Sequence, residues 1–260
     1  MNENERMQFF YEMFNSSLLR LGPGTDACTL RALNIVLAAS PRRAAPTGQT
    51  WPRILDVGCG TGAQSLVLAR HLDGPILAID NQQPYLDALQ RRAAAAGVQG
   101  KIVTRLADMR TVELDSGAFD LIWSEGALYC MGFREGLAKC RAWLADGGCL
   151  AVTELCWLRP GAPPECRRFI EGEYPVIADI DANVRAMQAC GYTVLDHFVL
   201  SESAWTDEYY NPLEARLQML RMRHAGDAER LDMIAGIQAE IDNYRQYSAY
   251  YGYVFCVMRR

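Results

Sequence analysis

The chain has 260 residues, half of them hydrophobic, with 26 basic against 31 acidic side chains and a formal net charge of −5. Its arginine pairs are scattered (Arg42-Arg43, Arg91-Arg92, Arg167-Arg168, Arg259-Arg260), which excludes a phosphate-tracking nucleic-acid surface, and no apolar run approaches the roughly 18 residues of a membrane span. Nine cysteines without any C-x-x-C spacing argue against a disulfide scaffold and point to a reduced, cytoplasmic protein.

Residues 1–52 read as a helical arm. Met1 to Arg6 is polar and acidic, unlike the charged-then-apolar order of a secretion signal, and Phe9-Phe10-Tyr11-Glu12-Met13-Phe14 carries an aromatic cluster. Ser40 to Pro52, rich in Pro, Ala, Arg and Thr, reads as the loop joining the arm to a core. Arg53 to Val57 is then a short apolar strand holding one acid, Asp56, followed by the alternate glycines Gly58, Gly60 and Gly62. Glycines let the backbone turn tightly and approach a ligand, and the helix that follows points its free N–H groups into the same space. The next strand, Pro75 to Ile79, closes on Asp80 after one strand-helix-strand unit, where a carboxylate suits the paired hydroxyls of a ribose.

Pro84 and Gly97 bracket a helix over Tyr85 to Ala96. Lys101 to Ala107 and Phe119 to Trp123 read as the third and fourth strands, and Phe133 to Ala145 as a helix with an apolar stripe of Leu137, Cys140 and Leu144. Gly148 to Thr153 is a fifth strand after the turn Asp146-Gly147-Gly148, and a helix carrying Ile180, Val184 and Met187 runs up to Gly191. Tyr192 to Leu200 and Tyr251 to Met258 are two late strands, whose direct succession suggests an antiparallel addition at the sheet edge. Between them Ser201 to Tyr250 brings two helical stretches (Pro212 to Arg223, Asp227 to Tyr247) and the aromatics Trp205, Tyr209, Tyr210, Tyr244, Tyr247 and Tyr250. The expectation is one α/β domain over 1–260: a doubly wound, seven-stranded, mostly parallel Rossmann-like sheet with an antiparallel last strand. Its parts are the arm (1–52), a cofactor-binding core (53–200), a cap insertion (201–250) and the final strand (251–260).

The glycine string alone fits two pockets, because Gly58-Cys59-Gly60-Thr61-Gly62-Ala63 also satisfies the dinucleotide pattern G-x-G-x-x-A. Asp56 separates them: an acid before the first glycine repels a pyrophosphate and suits a ligand bearing an ammonium and a sulfonium. Leu55-Asp56-Val57-Gly58-Cys59-Gly60-Thr61-Gly62 resembles the first motif of the class I S-adenosylmethionine-dependent methyltransferases, and the resemblance runs from about residue 53 to the C-terminus. It implies S-adenosyl-L-methionine as cofactor, held by Asp56, Gly58, Gly60, Thr61, Gly62, Gln64, Asp80 and Asn81. It implies further that Asp108 contacts the adenine amino group while Met109 covers the ring. Ser124 follows the fourth strand, where the family places contacts, and Tyr11 belongs to an arm that closes over the methionine end in related small-molecule enzymes. The Asp146-Gly147-Gly148 turn resembles the family's L-x-P-G-G, with Ala145-Asp146 in place of the usual residues.

Ser124-Glu125-Gly126-Ala127 lacks the [DN]-P-P-[YF] of enzymes that methylate DNA bases, so the expected acceptor is a small molecule. In-line methyl transfer needs alignment, dryness and, for some acceptors, a base. Strand-end positions nominate Glu125, Tyr129 and Glu154, each with a plainer role open to it: cofactor bond or cap, pocket wall, arginine partner. Acids without a basic cluster at that end favour an amine over a polyphosphate. The aromatic insertion is either a lid or an edge that makes a homodimer contact. His71, His197 and His224 have no metal-ligand spacing, and a metalloid-binding thiol cluster would need Cys130, Cys156 and Cys166 to converge. The alternatives of another class are an NAD-dependent oxidoreductase, disfavoured by Asp56, and a non-catalytic cofactor-binding or regulatory protein.

Overall fold

Four parallel strands form one flank of the sheet, with β3 at its edge: β1 (Ile54–Val57), β2 (Ile76–Asp80), β3 (Ile102–Leu106) and β4 (Phe119–Ser124). The computed structural model describes residues 1–39 and 52–260, so the expected loop from Ser40 lies outside the described residues except for Pro52. Beyond β4 come β5 (Leu144–Trp157), the two-residue β6 (Ala178–Asp179), β7 (Thr193–Val199) and β8 (Tyr251–Arg259). The order is β3-β2-β1-β4-β5-β8-β7, with β6 paired to the end of β5. Only β8 runs against the others. It sits between β5 and β7 rather than at the edge, so the strand at that edge is β7, opposite β3.

β1 is buried at every residue, as expected of a central strand covered on both faces. One covering layer is α2 (Asp26–Ala39), α3 (Ala63–His71) and α4 (Gln83–Ala95), packed on Ile54, Ile76, Trp123 and Phe255. The other is α5 (Phe133–Trp143) and α7 (Ile180–Ala189), packed on Leu55, Val57, Ile79 and Ile122. The second half of the arm thus belongs to the core layer: α2 buries Ala32, Leu33 and Val36 along one helical face.

The first half of the arm packs elsewhere. α1 (Glu3–Met13) starts in a capping box between Asn2 and Glu5. With the segment after it, α1 shares a third apolar cluster, Phe9, Met13, Phe14 and Leu18 against Trp205, Tyr209, Tyr210 and Leu213. Those partners come from the insertion: α8 (Glu202–Trp205), a π-helical turn (Thr206–Tyr210), α9 (Asn211–Arg223) and α10 (Ala228–Tyr247), the last capped by Asp227.

Three local features differ from the sequence expectation. Asp146-Gly147-Gly148 is a bulge inside β5 rather than a turn before it: Gly147 has φ +74 and the register against β4 shifts between Phe119 and Leu121. α6 (Pro164–Glu173) was not anticipated: its apolar stripe of Cys166, Phe169 and Ile170 has the helical spacing but spans only about one turn. β6 is too short to leave a pattern, and its Asp179 is also the N-cap of α7, accepting from Ala182 N at 2.7 Å. No helix among the described residues is long and apolar enough to cross a membrane.

Candidate active site

The glycine loop is built by the backbone. Gly58 N and Cys59 N donate to the Ile79 carbonyl at 2.9 and 3.0 Å, turning the chain sharply at the end of β1. Gly58 has φ +69, and a Cβ there would collide with Ala127 and with Met109 Cε; Gly62, at φ +87 before α3, would collide with Leu89. Asp56 stands behind this turn. Its carboxylate accepts from Ser65 Oγ at 2.5 Å and Gln64 Nε2 at 3.3 Å, has no exposed surface, and is pushed by burial up to about 7. The expected contact of Asp56 with a cationic ligand is therefore replaced by a clamp between β1 and the first turn of α3. Ser124 is likewise turned away, wholly buried with its Oγ donating to Val57 O at 3.0 Å, a tie between β4 and β1.

A cavity of about 860 Å³ opens in front of the loop and extends under the insertion. Gly58, Gly60, Thr61, Gly62, Gln64, Asp80, Asn81, Asp108, Met109 and Tyr11 all line it, so the structure gathers ten of the twelve residues expected at the cofactor. Asp80 Oδ2 accepts from Gly60 N and Oδ1 from Gln82 N, both at 2.9 Å, which orients the buried carboxylate while each oxygen keeps a further lone pair. Burial raises Asp80 above the usual carboxylate range against those backbone bonds. Asp108 is held below that range by a forked bond from Arg110, at 2.7 and 3.1 Å. Burial and then the charge of Asp80 raise the Tyr11 hydroxyl, whose ring meets Tyr85 edge-on at 6.2 Å.

The segment after α1 is tied down beside this end. Thr61 Oγ1 lies 2.6 Å from Leu19 O, Arg92 donates to the carbonyls of Ser16 and Leu18 at 3.2 and 3.1 Å, and Tyr85 OH donates to Phe14 O. At its centre is Arg20, with ion pairs to Asp26 (3.0 Å), Glu125 (3.2 Å) and Glu208 (2.9 Å). Glu125 also accepts from Thr29 Oγ1 at 2.7 Å and Trp123 Nε1 at 2.8 Å, with only 5% of its side chain exposed. A carboxylate facing a buried guanidinium and two further donors is an anchor. Sequence reasoning named Glu125 as a candidate base; it lines the cavity, and its carboxylate is held there by Arg20, Thr29 and Trp123.

At the other end Tyr129, 46% exposed, lines the cavity with its ring edge-on to Tyr174 at 6.1 Å. Glu154 lies beneath the wall, buried, accepting from Tyr174 OH at 2.5 Å, and burial pushes it up to about 7. Tyr174 faces the cavity, so Glu154 meets it through that hydroxyl. A second such pair comes from the insertion: Tyr210 OH donates to Glu240 at 2.9 Å, and burial raises Glu240. Arg20, Tyr174, Glu240 and Tyr253 were all missed by sequence reasoning. Arg20 did leave a signal, a lone charge inside Leu18-Leu19-Arg20-Leu21. Cys130, Cys156 and Cys166 do not converge; among the described residues no group of three or more His, Cys, Asp or Glu is placed to hold a metal ion.

Comparison with known proteins agrees with this geometry. Residues 54–148 match the family described as a methyltransferase domain. The chain is similar to the malonyl-[acyl-carrier protein] O-methyltransferase of Salmonella typhimurium, 32% identical over 47% of this chain and 45% of that one. It is also similar to the dimethylglycine N-methyltransferase of Parasynechococcus marenigrum, 31% identical over 39% of this chain and 36% of the other. The chain thus spans less than half the length of these two curated relatives. A solved structure of an S-adenosylmethionine-dependent methyltransferase from Geobacter sulfurreducens, in complex with S-adenosyl-L-homocysteine, superposes with a TM-score of 0.76 at 20% identity, covering 97% of this chain and 98% of that one. That likeness shows the fold. Residues 54–148 thus match a methyltransferase domain, and the sheet order and glycine loop around them have the form of the class I S-adenosylmethionine-dependent methyltransferase fold. S-adenosylmethionine fits the residues present: glycines where a Cβ would close the cavity floor, and at Asp80 a fixed carboxylate with free lone pairs for two hydroxyls.

Proposed function

We propose that the protein transfers the methyl group of S-adenosylmethionine to a small-molecule acceptor by in-line displacement. The observation that carries this reading is the continuity of one cavity from the glycine loop and Asp80 to a chamber walled by tyrosines from β8, α6 and the insertion. The cofactor supplies a methyl group on a cationic sulfur. What the chain contributes is placement: Asp80 takes the ribose hydroxyls, Met109 and Asp108 the adenine, and Tyr11 closes the arm side. Alignment of this kind is worth up to about 7 to 11 kcal/mol in well-oriented systems. The arm and insertion exclude water from the reacting end. Tyr129 shapes the acceptor chamber, and Glu154 acts as a proton acceptor through Tyr174.

We read the reaction as cytoplasmic, on a metabolite rather than a nucleic acid. Supporting this are nine cysteines, none in a disulfide, and cavity arginines that are already committed to acids. The relatives are named for both O- and N-methylation, so they leave the acceptor atom to the chamber itself. The insertion is read as a roof rather than a homodimer edge, because Trp205, Tyr209 and Tyr210 pack on the arm and line the cavity. Calorimetric titration with S-adenosylhomocysteine and with NAD tests the central reading. Binding of the first alone is expected, and binding of NAD alone overturns it.

A further inference from the structure

The far chamber is walled by aromatic rings and acids. Tyr129, Tyr174, Tyr209 and Tyr253 line it, and Trp205 backs it with its ring stacked between Tyr253 at 5.2 Å and Tyr244 at 4.2 Å. Two carboxylates adjoin these rings, Glu240 on the wall and Glu154 behind Tyr174, and each receives a hydrogen bond from a tyrosine. None of the ion pairs among the described residues includes either of them. The two arginines that line the cavity are spent, Arg20 on Asp26, Glu125 and Glu208, and Arg110 on Asp108.

Carboxylates taken out of water without a counterion are costly, and each is held by one phenol only. Desolvation accordingly pushes Glu154 up to about 7 and raises Glu240 as well. A cation entering the chamber reverses this, because it meets the negative faces of several aromatic rings and an unpaired carboxylate together. An anionic acceptor meets the opposite: two acids and no uncommitted arginine on the wall. A neutral, apolar one would leave the half-buried Glu240 without a charge partner.

We infer that the acceptor is a small ammonium compound, its nitrogen seated among the tyrosine rings beside Glu240 and its proton passed through Tyr174 to Glu154. The inference rests on the methyl-transfer reading above. The ammonium gives one N–H proton to the Tyr174 oxygen as Tyr174 passes its own proton to Glu154, which becomes the neutral acid. The freed nitrogen lone pair forms the new N–C bond while the C–S bond breaks and its electron pair stays on sulfur, leaving a methylated ammonium and S-adenosylhomocysteine. The groups that face Glu154 are Tyr174 after α6, Tyr129 after β4, Tyr253 and Cys256 on β8, and Cys156 on its own strand; none is a base that would compete for the proton.

The test begins with S-adenosylhomocysteine binding to the full chain, since failure there removes the methyl-transfer reading and is distinct from failure of this one. On the protein saturated with that ligand, methylammonium, dimethylammonium, tetramethylammonium and choline are titrated by calorimetry against 3,3-dimethylbutan-1-ol, the neutral isostere of choline, and acetate. At least one ammonium is expected to bind ten or more times more tightly than the neutral and anionic probes. Glu240→Gln, which keeps an acceptor for Tyr210, should remove that preference at least tenfold with unchanged S-adenosylhomocysteine affinity. For any amine that turns over, Glu154→Gln should slow single-turnover transfer at least tenfold and abolish its pH dependence near 7. Equal binding of choline and its isostere, tighter binding of acetate, no ammonium binding to the saturated protein, or an unaltered pH profile in Glu154→Gln overturns the inference.

Discussion

The two ends of the cavity are made differently. At the cofactor end the chain itself is the device: three glycines with positive φ, two backbone N–H groups fixing Asp80, and a helix start clamped by Asp56. At the acceptor end the device is side chains brought from distant segments, Tyr129 after β4, Tyr174 after α6, Tyr210 and Glu240 from the insertion, Tyr253 from β8. A backbone device requires residue types at fixed local spacing. An assembled one requires only that separate elements meet, so its residues are free of any short pattern.

The largest expected effect lies at the joint between the ends. Arg20→Ala strands Glu125 in a buried site facing only Thr29 and Trp123, and removing one partner of a buried ion pair costs about 3 to 5 kcal/mol. The urea midpoint should fall accordingly. Glu125→Gln, which keeps an acceptor for Thr29 and Trp123, should lose less stability. If it instead abolishes methyl transfer in a fully stable protein, Glu125 is chemical after all and the anchor assignment is wrong.

Asp80→Ala strikes the cofactor end alone. Hydrogen bonds to a charged acceptor are worth about 1.5 to 3 kcal/mol, so cofactor affinity should fall at least roughly tenfold with acceptor-chamber binding unchanged. An unaltered dissociation constant in the folded variant would take Asp80 out of the site.

The contrast also explains what was legible in advance. The parallel strands, the glycine loop and the helices over Tyr85 to Ala96 and Phe133 to Ala145 follow from strands closing on acids and glycines, which are local constraints, whereas the place of β8 inside the sheet does not. Asp56 was legible as a residue and misread as a contact: an acid before the glycines does not reveal whether it looks forward to a ligand or back to Ser65 and Gln64. The anchoring of Glu125 was hidden for the complementary reason, since its partner Arg20 lies 105 residues earlier in the chain. Tyr174 ends a helix with only two buried residues, too thin a stripe to announce itself. Glu240 sits in α10, whose aromatic content was noticed while its acid was not.

A pH titration sharpens the acceptor end. Burial raises Glu154 in the folded protein from the usual 4.5 to about 7, so the folded state holds its proton more tightly than the unfolded chain between those values. The resulting stability is fully present below about pH 4.5 and is lost as pH rises through about 7. Glu154→Gln carries no such loss. The variant should therefore gain on the wild type by up to about 3.5 kcal/mol between pH 4.5 and 8, at about 1.4 kcal/mol per pKa unit. Asp56 is raised in the same direction and stays in both proteins, so the difference isolates Glu154. A constant gap across that range would mean that Glu154 is ionised throughout in the folded state.

The smallest effect is the one that separates roof from interface. Phe9 and Phe14 share an apolar cluster with Trp205, Tyr209 and Tyr210, and Arg20 joins that cluster to Glu208 on the insertion and Glu125 on the core. The contacts that hold this roof to the glycine loop are few: the Thr61, Tyr85 and Arg92 bonds to carbonyls of residues 14–19. Segments secured by so few bonds open locally at lower free energy than β1, β4 and β5, which are buried on both faces. Amide exchange over Phe9 to Leu21 and Trp205 to Pro212 should accordingly be faster than in the sheet, and should slow several-fold when S-adenosylhomocysteine and an ammonium probe are bound together. Each ligand alone should protect less, because the roof touches both ends of the cavity. Should both segments already be protected in the free protein in a concentration-dependent way and show no response to ligand, they form a contact between two copies of the chain, and the division into a backbone-made end and a roofed, assembled end fails at its second half.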